Sequence, residues 1–553
     1  MLGIDVGTTN TKAVVVEIGP SGVLELARAS VPTPVDAVGL VDAVGLVDAV
    51  LRVVREVVAR TGSQPRAIGI ASMAETGVPL DRDGWPLTEL LRWDGHRAAR
   101  EATALADRHG RADLFRATGV RPSAKVPLAT LAWLTVHQPA VVARMAGWAG
   151  VADLVALALT GELVTDHTLA GRTMAYRLPA RGEALRTSFD ADLLATVGLR
   201  PEQLPRVAPA DGVAGRVRGA GSTGGVRGAG STGGARGAGD LGRFWEVASK
   251  AFVLAGLSPG TPVVIAGHDH AVGSWAAGVR TAGDRADSLG TAEAVLTVLP
   301  DVPGPGPQLD DVAAAGMSWV RTASGRHDAV LAGSSSAGAM VAWLVELTQT
   351  PADELFGEAL ADIRQDPRPT DRVVLPYLSG RQSPAPDPTA RLHLPDGVSG
   401  VRLTRAVLEG LCLQARWMLT EQALLAGVSE TRAQPQHSTV TARPLTVLGG
   451  PAVANEAWAQ VKAAVTSEPL RWVRTGEPVA AGAALLAATR AGLLGEDVAR
   501  ILATDRASEG AAPCLPTVQT PAPTPGAYDR MYDEFVATAL RGATAVRRPP
   551  PGR

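Results

Sequence analysis

Short apolar runs alternate with segments of helical spacing along most of the chain. The runs LGIDVG, AVVVEI and AIGIAS near the start, and TPVVIAG and LTVLGG further on, are typical of buried strands. Between them, segments such as LATLAWLTVH, VADLVALAL, AMVAWLVEL and AVLEGLCLQARWMLTEQALLAG space their apolar residues along one helix face. Strands that alternate with helices predict an α/β protein with helix-covered sheets, and a similar layout occurs in each half of the chain.

Two tracts of low complexity interrupt this pattern. In residues 34–50 the unit VDAVGL recurs and runs into LRVVREVVAR, which has helical spacing and ends at Thr61-Gly62. This predicts one helix with an expanded beginning. Residues 215–240 repeat RGAGSTGG, and so much Gly and Ser cannot bury a core, so we expect a flexible surface insertion there. The tail after Arg541 ends in RRPPPGR, which predicts a frayed end.

Length and charge narrow the classes of protein that the chain can belong to. It has 553 residues, of which 46% are hydrophobic, enough for several domains with large cores. A formal net charge of −2 argues against nucleic acid or a membrane surface as a partner, because such proteins usually carry a strong basic field. We expect no secretion signal, because Asp5 interrupts the start of the sequence, and no membrane span, because no apolar run reaches ~18 residues. The two cysteines lie far apart. We therefore expect a cytoplasmic protein without a disulfide framework.

The first candidate motif is GIDVGTTNTK, residues 3–12, in which an apolar strand delivers Asp5 to a Gly-Thr-Thr turn before a second strand. Glycine lets the backbone approach a ligand closely, so such a hairpin can turn N–H groups and hydroxyls toward a phosphate. Asp5 beside a triphosphate would hold Mg²⁺ directly or through water, and Lys12 would add a positive charge. The alternative is a plain hairpin with a polar turn.

The second motif is AGHDHAVG, in which Asp269 follows the strand TPVVIAG and precedes a helix of small residues. Open α/β sheets place their active sites at such strand ends. An ionised Asp269 suits the role of base toward a hydroxyl that attacks a phosphate. A metal site is the alternative, because His268 and His270 form an HxH pattern, although no CxxC or HExxH partner lies nearby. We expect them instead to bond the substrate or to orient Asp269.

Two further glycine turns follow strands in the second half. DSLGTAE contains Gly290 and Thr291, and it resembles a second hairpin that could contact phosphate. LTVLGGPAVAN contains Gly450 and Asn455, a turn that can accept the flat face of an adenine, with Asn455 either starting a helix or contacting the base. Each turn alone is weak evidence of a binding site. The four motifs in succession, a hairpin, an Asp turn, a Gly-Thr hairpin and a Gly-Gly turn, are much stronger evidence.

This series of motifs resembles the FGGY carbohydrate kinase family. Nearly all of residues 1–530 share the resemblance, through IDVGTTNTK, LRWDGHRAARE, ALTGELVTDHTLAGRTMAY, GTPVVIAGHDHAVGSWAAG, SSSAGAMVAWL and GEPVAAGAALLAATRAGL. It implies two actin-like (ribonuclease H-like) domains with an interdomain cleft. It also implies ATP and Mg²⁺ as cofactors and a small sugar or polyol as acceptor, without a nucleic-acid or membrane partner. A homodimer is one assembly compatible with it.

The resemblance also implies roles for individual residues. Asp269 would be the catalytic base and Asp5 the carboxylate associated with Mg²⁺. Glu75, Asp269 and His270 would face the substrate. The residues implied at the nucleotide are Thr8, Thr9, Asn10, Lys12, Gly290, Thr291, Gly338, Gly450 and Asn455.

The chain departs from the family pattern near the acceptor. The triplet Ala74-Glu75-Thr76 stands where glycerol kinases carry Arg-Glu-Thr, and this missing guanidinium puts glycerol in doubt. The predicted division is a sugar-binding N-terminal domain at 1–280, which carries the 215–240 insertion, a nucleotide-binding C-terminal domain at 281–530, and a helix end with a tail at 531–553. A catalytically silent nucleotide-binding regulator and a phosphate-ester hydrolase on the same fold are the alternative functions.

Overall fold

The computed structural model describes residues 1–19, 22–35, 41–95, 97–179, 183–219, 243–290, 292–300, 309–426, 443–449, 455–473, 477–494 and 526–545. The chain divides into two compact units. Unit 1 comprises Met1–Arg280, Val320–Asp328 and Gly476–Pro513, and unit 2 comprises Thr281–Trp319, Ala329–Thr475 and Cys514–Arg553. Most of the 215–240 insertion and the end of the tail lie outside the described residues. None of the described helices combines the length and the apolar character needed to cross a membrane.

The central element of unit 1 is a six-stranded sheet in the order β3-β2-β1-β4-β10-β9. Strands β1 to β3 are antiparallel neighbours, and β4 and β10 run parallel to β1. The strands are β1 (Leu2–Val6), β2 (Asn10–Gly19), β3 (Gly22–Pro32), β4 (Ile68–Ser72), β5 (Gly77–Leu80), β6 (Gly147–Gly150), β7 (Val164–Thr165), β8 (Arg206–Val207), β9 (Gly215–Arg216) and β10 (Pro262–His268). Strands β5 with β6, and β7 with β8, form two small sheets.

Helices surround this sheet. They are α1 (Ala43–Thr61), α2 (Ala99–His109), α3 (Arg111–Thr118), α4 (Pro127–His137), α5 (Pro139–Arg144), α6 (Val151–Thr160), α7 (His167–Ala170), α8 (Ala191–Ala195), α9 (Arg243–Leu254), α10 (Asp269–Ala276) and α16 (Pro478–Arg490). Helix α1 ends where the sequence predicts, because Gly62 adopts φ 60° as its C-cap. Its Val53 and Val57 are fully buried, each contributing roughly 1.5–3 kcal/mol through burial.

Helix α16 lies in the segment that the sequence assigned to the C-terminal domain, but the chain returns to unit 1 there. It packs directly on β1 and β4 because these strands carry Gly3 and Gly69. A Cβ on Gly3 would collide with the carbonyl of Ala480, and a Cβ on Gly69 with that of Ala483. The two glycines thus allow a helix distant in sequence to cover the centre of the sheet, so a single linear boundary at residue 280 does not describe unit 1.

Unit 2 repeats the same strand arrangement. Its sheet has the order β13-β14-β12-β11-β15-β16, so β14-β12-β11-β15-β16 matches β3-β2-β1-β4-β10 of unit 1. The strands are β11 (Arg285–Leu289), β12 (Glu293–Val298), β13 (Ser318–Arg321), β14 (Asp328–Ser334), β15 (Leu445–Leu448) and β16 (Leu470–Trp472). The helices are α11 (Leu309–Ala314), α12 (Ala337–Thr348), α13 (Ala352–Gln365), α14 (Val401–Leu425), α15 (Glu456–Thr466) and α17 (Asp529–Ala545). The repeated layout expected from the sequence is therefore confirmed.

Candidate active site

Parallel strands at the centre of unit 1 bring two predicted carboxylates to one edge of the sheet. On β1, Asp5 lies opposite Ala71 of β4, and Gly267 of β10 lies opposite the same Ala71 from the other side. Asp269 begins α10 directly after β10. Because neighbouring strands are about 4.8 Å apart, the backbones of β1 and β10 are separated here by about 10 Å.

Asp5 is a buried carboxylate without a full set of partners. It is 6% exposed, and among the described residues its Oδ1 atom has no hydrogen-bond partner. Burial, and after it the negative charge of Asp269, raises the pKa of Asp5 to about 8, although Lys12 acts in the opposite direction. An oxygen that is buried and lacks a donor, beside a second carboxylate, is suited to receive a cation.

Lys12 stands opposite Asp5 on β2, as its neighbour in the antiparallel register. Its Nζ atom lies 2.7 Å from Oε2 of Glu477, at the beginning of α16. Both side chains are about a quarter exposed, so the pair is reachable from solvent. The phosphate contact predicted for Lys12 stays a prediction, and Glu477 is a partner that the sequence did not reveal.

The turn between β1 and β2, where phosphate contacts are predicted, is accessible to solvent. Thr8 and Asn10 are half-buried and Thr9 is exposed. The turn closes through a hydrogen bond from the Gly7 N–H to the Asn10 carbonyl (3.0 Å). The indole N–H of Trp93 donates to Oγ1 of Thr8 (3.2 Å), which ties the turn to the segment after β5.

Asp269 is held in place by its neighbours in the chain. Its Oδ1 atom accepts a hydrogen bond from the His270 backbone N–H (2.6 Å) and lies 3.2 Å from Nε2 of His268. Burial lowers the pKa of His268 to about 3, so its imidazole is neutral while its Nε2 atom stays in close contact with the Asp269 carboxylate. The carboxylate itself is 24% exposed, which leaves it accessible to a substrate hydroxyl.

The backbone before Asp269 requires glycine. Gly267 has φ 130°, and a Cβ there would lie 2.7 Å from Oδ1 of Asp166 and collide with the Thr168 hydroxyl. That hydroxyl in turn accepts a hydrogen bond from the His268 N–H (2.8 Å). The end of β10 is therefore fixed by the N-terminal turn of α7, where Thr168 lies, and this contact holds the backbone that leads into Asp269.

His268, Asp269 and His270 form a cluster that could also hold a metal ion. One ligand atom from each of the three lies within 4.8 Å of the others. The two imidazole rings meet edge to face, with centroids 5.2 Å apart, and His270 Nε2 lies 4.0 Å from Asp269 Oδ1. The geometry fits both interpretations of the HxH pattern, a metal site and orientation of Asp269. Only the second is supported by a short contact, the one between His268 and Asp269.

Glu75 lies beyond the end of β4, on the same edge of the sheet. It adopts φ 68°, an unfavourable conformation for a residue with a side chain, and such strain is often found at functional sites. Its Oε1 atom accepts a hydrogen bond from Nη2 of Arg172 at 2.7 Å. A guanidinium therefore lies beside Glu75, and it comes from a residue 97 positions later in the chain.

In unit 2, two of the predicted nucleotide residues, Gly290 and Gly338, lie in contact. The Gly338 N–H donates to the Gly290 carbonyl (3.0 Å), which joins the start of α12 to the β11–β12 turn. Gly449 adopts φ 119°, and a Cβ there would collide with the carbonyl of Leu289. Asn455 caps α15 by accepting a hydrogen bond from the Trp458 N–H (3.0 Å). Thr291 and Gly450 lie outside the described residues.

A cluster of buried charged side chains joins the two strands that flank the β11–β12 turn. Lys462 of α15 forms an ion pair with Asp287 of β11 and lies 3.0 Å from Glu293, the first residue of β12. The Lys462 and Asp287 side chains are 0% exposed and that of Glu293 is 2% exposed. Burial is the main cause that raises the pKa of Glu293, and Asp287 adds to it, so Glu293 favours its neutral form.

The family of the chain follows from two matches that together span most of its length. The model of the FGGY family of carbohydrate kinases, N-terminal domain, matches residues 1–227, and that of the C-terminal domain matches residues 289–491. The chain belongs to the FGGY family of carbohydrate kinases. The expected family and the expected enzyme class, a kinase acting on a carbohydrate, are thereby confirmed.

Named relatives of this FGGY kinase span most of its length. A xylulose kinase of Streptomyces coelicolor (strain ATCC BAA-471 / A3(2) / M145) is 28% identical over 526 residues, covering 94% of this chain and 93% of the relative. A gluconokinase of Bacillus subtilis (strain 168) is 22% identical over 428 residues, covering 74% of each. The crystal structure of gluconate kinase from Lactobacillus acidophilus is 19% identical, with a TM-score of 0.75 over 99% of this chain and 98% of that one. The last comparison confirms the actin-like fold.

Three residues of this FGGY kinase were not predicted from the sequence, although they contact predicted site residues or the β11–β12 hairpin: Arg172, Glu477 and Lys462. Arg172 lies in the segment DHTLAGRTMAY, already recognised as similar to the family, so that segment was a usable signal. Glu477 likewise lies in a recognised segment, GEPVAAGAALLAATRAGL, whereas no local pattern marks Lys462; both residues meet their partners only in the folded chain.

Proposed function

We propose that Asp269 is the general base of this kinase and that Asp5 is the carboxylate that associates with Mg²⁺. One observation carries the proposal: an oriented Asp269, whose side chain is 24% exposed, shares the edge of one sheet with a buried Asp5 whose Oδ1 atom has no hydrogen-bond partner among the described residues. Phosphoryl transfer needs little more from a protein than a positioned acceptor, a base and stabilisation of charge.

In the proposed reaction, the acceptor hydroxyl gives its proton to the Asp269 carboxylate. The hydroxyl oxygen forms a bond to the γ-phosphorus of ATP, and the bond from that phosphorus to the oxygen bridging the β-phosphate breaks. The electron pair of the broken bond stays with ADP, and the products are ADP and a phosphorylated acceptor. His268, which is neutral, keeps Asp269 aimed at the hydroxyl and does not compete for its proton.

The residues present fit a divalent cation at Asp5, because no donor among the described residues bonds its buried Oδ1 atom and the charge of Asp269 acts on it. When bound, the cation supplies positive charge to the phosphate oxygens. The open turn with Thr8, Thr9 and Asn10, and the nearby Lys12, would contact the phosphates. In unit 2 the same function is proposed for Gly290, Thr291 and Gly338, and an adenosine contact for Gly450 and Asn455.

Glu75 and His270 are proposed to contact the acceptor. The Glu75 carboxylate is fixed by Arg172 yet can accept hydrogen bonds from acceptor hydroxyls, and the His270 side chain is 30% exposed beside the proposed base. The names of the relatives make xylulose, gluconate and glycerol the first acceptors to test. Pentuloses, polyols and sugars of four to six carbons complete the set.

The experiment is a panel of sugars, polyols and sugar acids with purified protein, ATP and Mg²⁺, in which ADP release is followed by a coupled assay. Acceptor-dependent ADP release for at least one member is the expected result. ATP binding without acceptor-dependent ADP release over the whole panel would instead support a silent nucleotide-binding regulator. Phosphate release that does not depend on an acceptor would indicate a hydrolase.

A further inference from the structure

Strand β10 loses its regular pairing just before it delivers Asp269. The register with β4 shifts between Ile265 and Gly267, so Ala266 is an extra residue on β10, and Gly267 adopts φ 130°. An extra residue of this kind, a β-bulge, bends its strand and changes the direction of the side chains that follow, and bulges are frequent beside active sites. The β10 bulge therefore sets the direction in which the chain enters Asp269.

Two side chains from outside the strand bond its backbone on the two sides of the bulge. On one side, Nη1 of Arg490, the last residue of α16, donates to the Ile265 carbonyl (2.8 Å). On the other side, the His268 N–H donates to the hydroxyl of Thr168 in α7 (2.8 Å). Both bonds are made to main-chain groups, so they act on the path of the strand itself.

One carboxylate connects these two side chains. Oδ1 of Asp166 accepts hydrogen bonds from the hydroxyl (2.5 Å) and the backbone N–H (2.7 Å) of Thr168. Its Oδ2 atom lies 3.3 Å from Nη1 of Arg490 and 3.1 Å from Nδ1 of His167. Asp166, His167, Thr168 and Arg490 thus form one cluster, and the side chain of its central carboxylate is 1% exposed.

The charge of Asp166 fixes the direction of the hydrogen bonds. Although burial alone would raise it, the charges of His167 and Arg490 and the hydrogen bond from Thr168 lower the pKa of Asp166 to about 2. An ionised carboxylate only accepts hydrogen bonds, so the Thr168 hydroxyl gives its hydrogen to Asp166 and turns a lone pair toward the His268 N–H. The cluster therefore presents a fixed acceptor to the end of β10.

The position of the His268 backbone matters for the proposed base. Nε2 of His268 lies 3.2 Å from Oδ1 of Asp269, and the next backbone N–H, that of His270, donates to the same oxygen (2.6 Å). A displacement of the backbone at His268 would move the imidazole and the Asp269 carboxylate together. In enzymes a misplacement of about 1 Å can cost on the order of 100-fold in rate.

We propose that Thr168 is a positioning residue for the base: together with Asp166 and Arg490 it holds the β10 bulge, and so keeps Asp269 aimed at the acceptor hydroxyl. The inference rests on the proposed function of Asp269 and adds residues that act through it. If the cluster served the fold alone, loss of the Thr168 hydroxyl would lower stability and leave the kcat of the folded protein unchanged.

The first test removes the hydroxyl and keeps the shape of the side chain. With the best acceptor of the panel described above, Thr168→Val should lower kcat at least about 10-fold and change the KM values for acceptor and ATP by less than about 2-fold. Thr168→Ser keeps the hydroxyl and should restore most of kcat. Thr160→Val is the matched control, because this buried hydroxyl donates to the Ala156 carbonyl (2.7 Å) and accepts from the Glu162 N–H (3.0 Å), and it should keep the wild-type kcat.

A second test asks whether Thr168 acts through the base. In the Asp269→Asn protein the base is already absent, so adding Thr168→Val should lower the remaining kcat by less than about 3-fold. The same loss in both backgrounds would show that Thr168 acts independently of Asp269 and would overturn the inference.

A third readout does not depend on turnover. The backbone amide of His268 should exchange its hydrogen at least about 10-fold faster in Thr168→Val than in the wild type, because its acceptor is gone. The rate should be unchanged in Thr160→Val. Hydrogen exchange resolved to this amide, on unliganded full-length protein, measures the difference.

A folded Thr168→Val protein with wild-type kcat would overturn the inference while the kinase assignment stands. If Thr168→Val does not fold, Thr168→Ala, which adds no methyl group against the His268 N–H, replaces it in every comparison. Failure of both variants to fold would show that Thr168 holds the fold and not the base, which also overturns the inference. If no acceptor gives ADP release, or if Asp269→Asn keeps the wild-type rate, the proposed function fails, and hydrogen exchange then decides separately whether Thr168 holds the β10 bulge.

Discussion

The two units build the same strand–turn–strand hairpin beside a parallel strand, but they treat buried acidic residues in opposite ways. On β1 of unit 1, the Oδ1 atom of Asp5 has no hydrogen-bond partner within the described part of the chain, and the negative charge of Asp269 acts on this carboxyl. On β11 and β12 of unit 2, Asp287 and Glu293 are both held by Lys462. Both oxygens of Asp287 also lack a hydrogen-bond donor among the described residues, so the cation is what distinguishes the two clusters. Lys462 pairs with Asp287, whereas no lysine or arginine of the described residues forms an ion pair with Asp5, and we propose that Mg²⁺ associates there.

The largest expected effect concerns the internal cation of unit 2. Lys462→Met should lower the free energy of unfolding by about 3–5 kcal/mol, because it leaves a buried carboxylate without its counter-charge. Denaturant titration measures the loss. Lys250→Met, at an exposed position of α9, is the matched control and should change stability by less than about 0.5 kcal/mol. A loss below 1 kcal/mol for Lys462→Met would mean that the cluster does not hold unit 2 together.

The matching change in unit 1 should reduce activity and not stability. Asp5→Asn is expected to lower kcat about 100-fold, equivalent to roughly 2.7 kcal/mol of transition-state stabilisation, because the amide cannot attract a divalent cation. Its free energy of unfolding near neutral pH should not fall. If Asp5→Asn unfolds as readily as Lys462→Met, the distinction between the two hairpins is wrong.

The pH dependence of stability gives a second test of how Asp5 in unit 1 differs from the acidic residues of unit 2. The pKa of Asp5 rises from 3.8 to about 8 on folding, so between those values the folded chain binds more protons at this carboxyl than the unfolded chain does. The contribution of Asp5 to stability therefore decreases as the pH rises through that window. Relative to wild type, Asp5→Asn should gain at least about 1 kcal/mol between pH 5 and pH 8 in denaturant titrations. A constant difference across that range would contradict the raised pKa.

The smallest effect is expected inside the unit 2 cluster. Glu293 favours its neutral form because burial raises its pKa, so Glu293→Gln replaces one neutral group by another and should cost about 1 kcal/mol or less. Asp287→Asn should cost more, because it removes the partner that balances Lys462. Unfolding titrations of the two variants give the order, and the reverse order would show that Glu293 carries the charge.

Local patterns were sufficient for the parts of the site that neighbouring residues build. Runs of ten residues or fewer specify three features: the strand before Asp269, the glycine that precedes Asp269, and the hairpin that carries Asp5. Each of them is found where the sequence predicts it. The partners of those residues are not local. Glu75 meets Arg172 across 97 positions, Glu293 meets Lys462 across 169, and Lys12 meets Glu477 across 465. Such pairs depend on how the sheet and its covering helices pack, which periodicity does not encode.

The most direct measurement compares Asp269→Asn with Asp48→Asn, an exposed aspartate of α1, in the assay of acceptor-dependent ADP release. The amide keeps the size of the side chain but cannot take a proton from a hydroxyl. The account predicts that Asp269→Asn loses about 100-fold or more in kcat at unchanged stability, while Asp48→Asn matches the wild type. Wild-type turnover by a folded Asp269→Asn protein would contradict it.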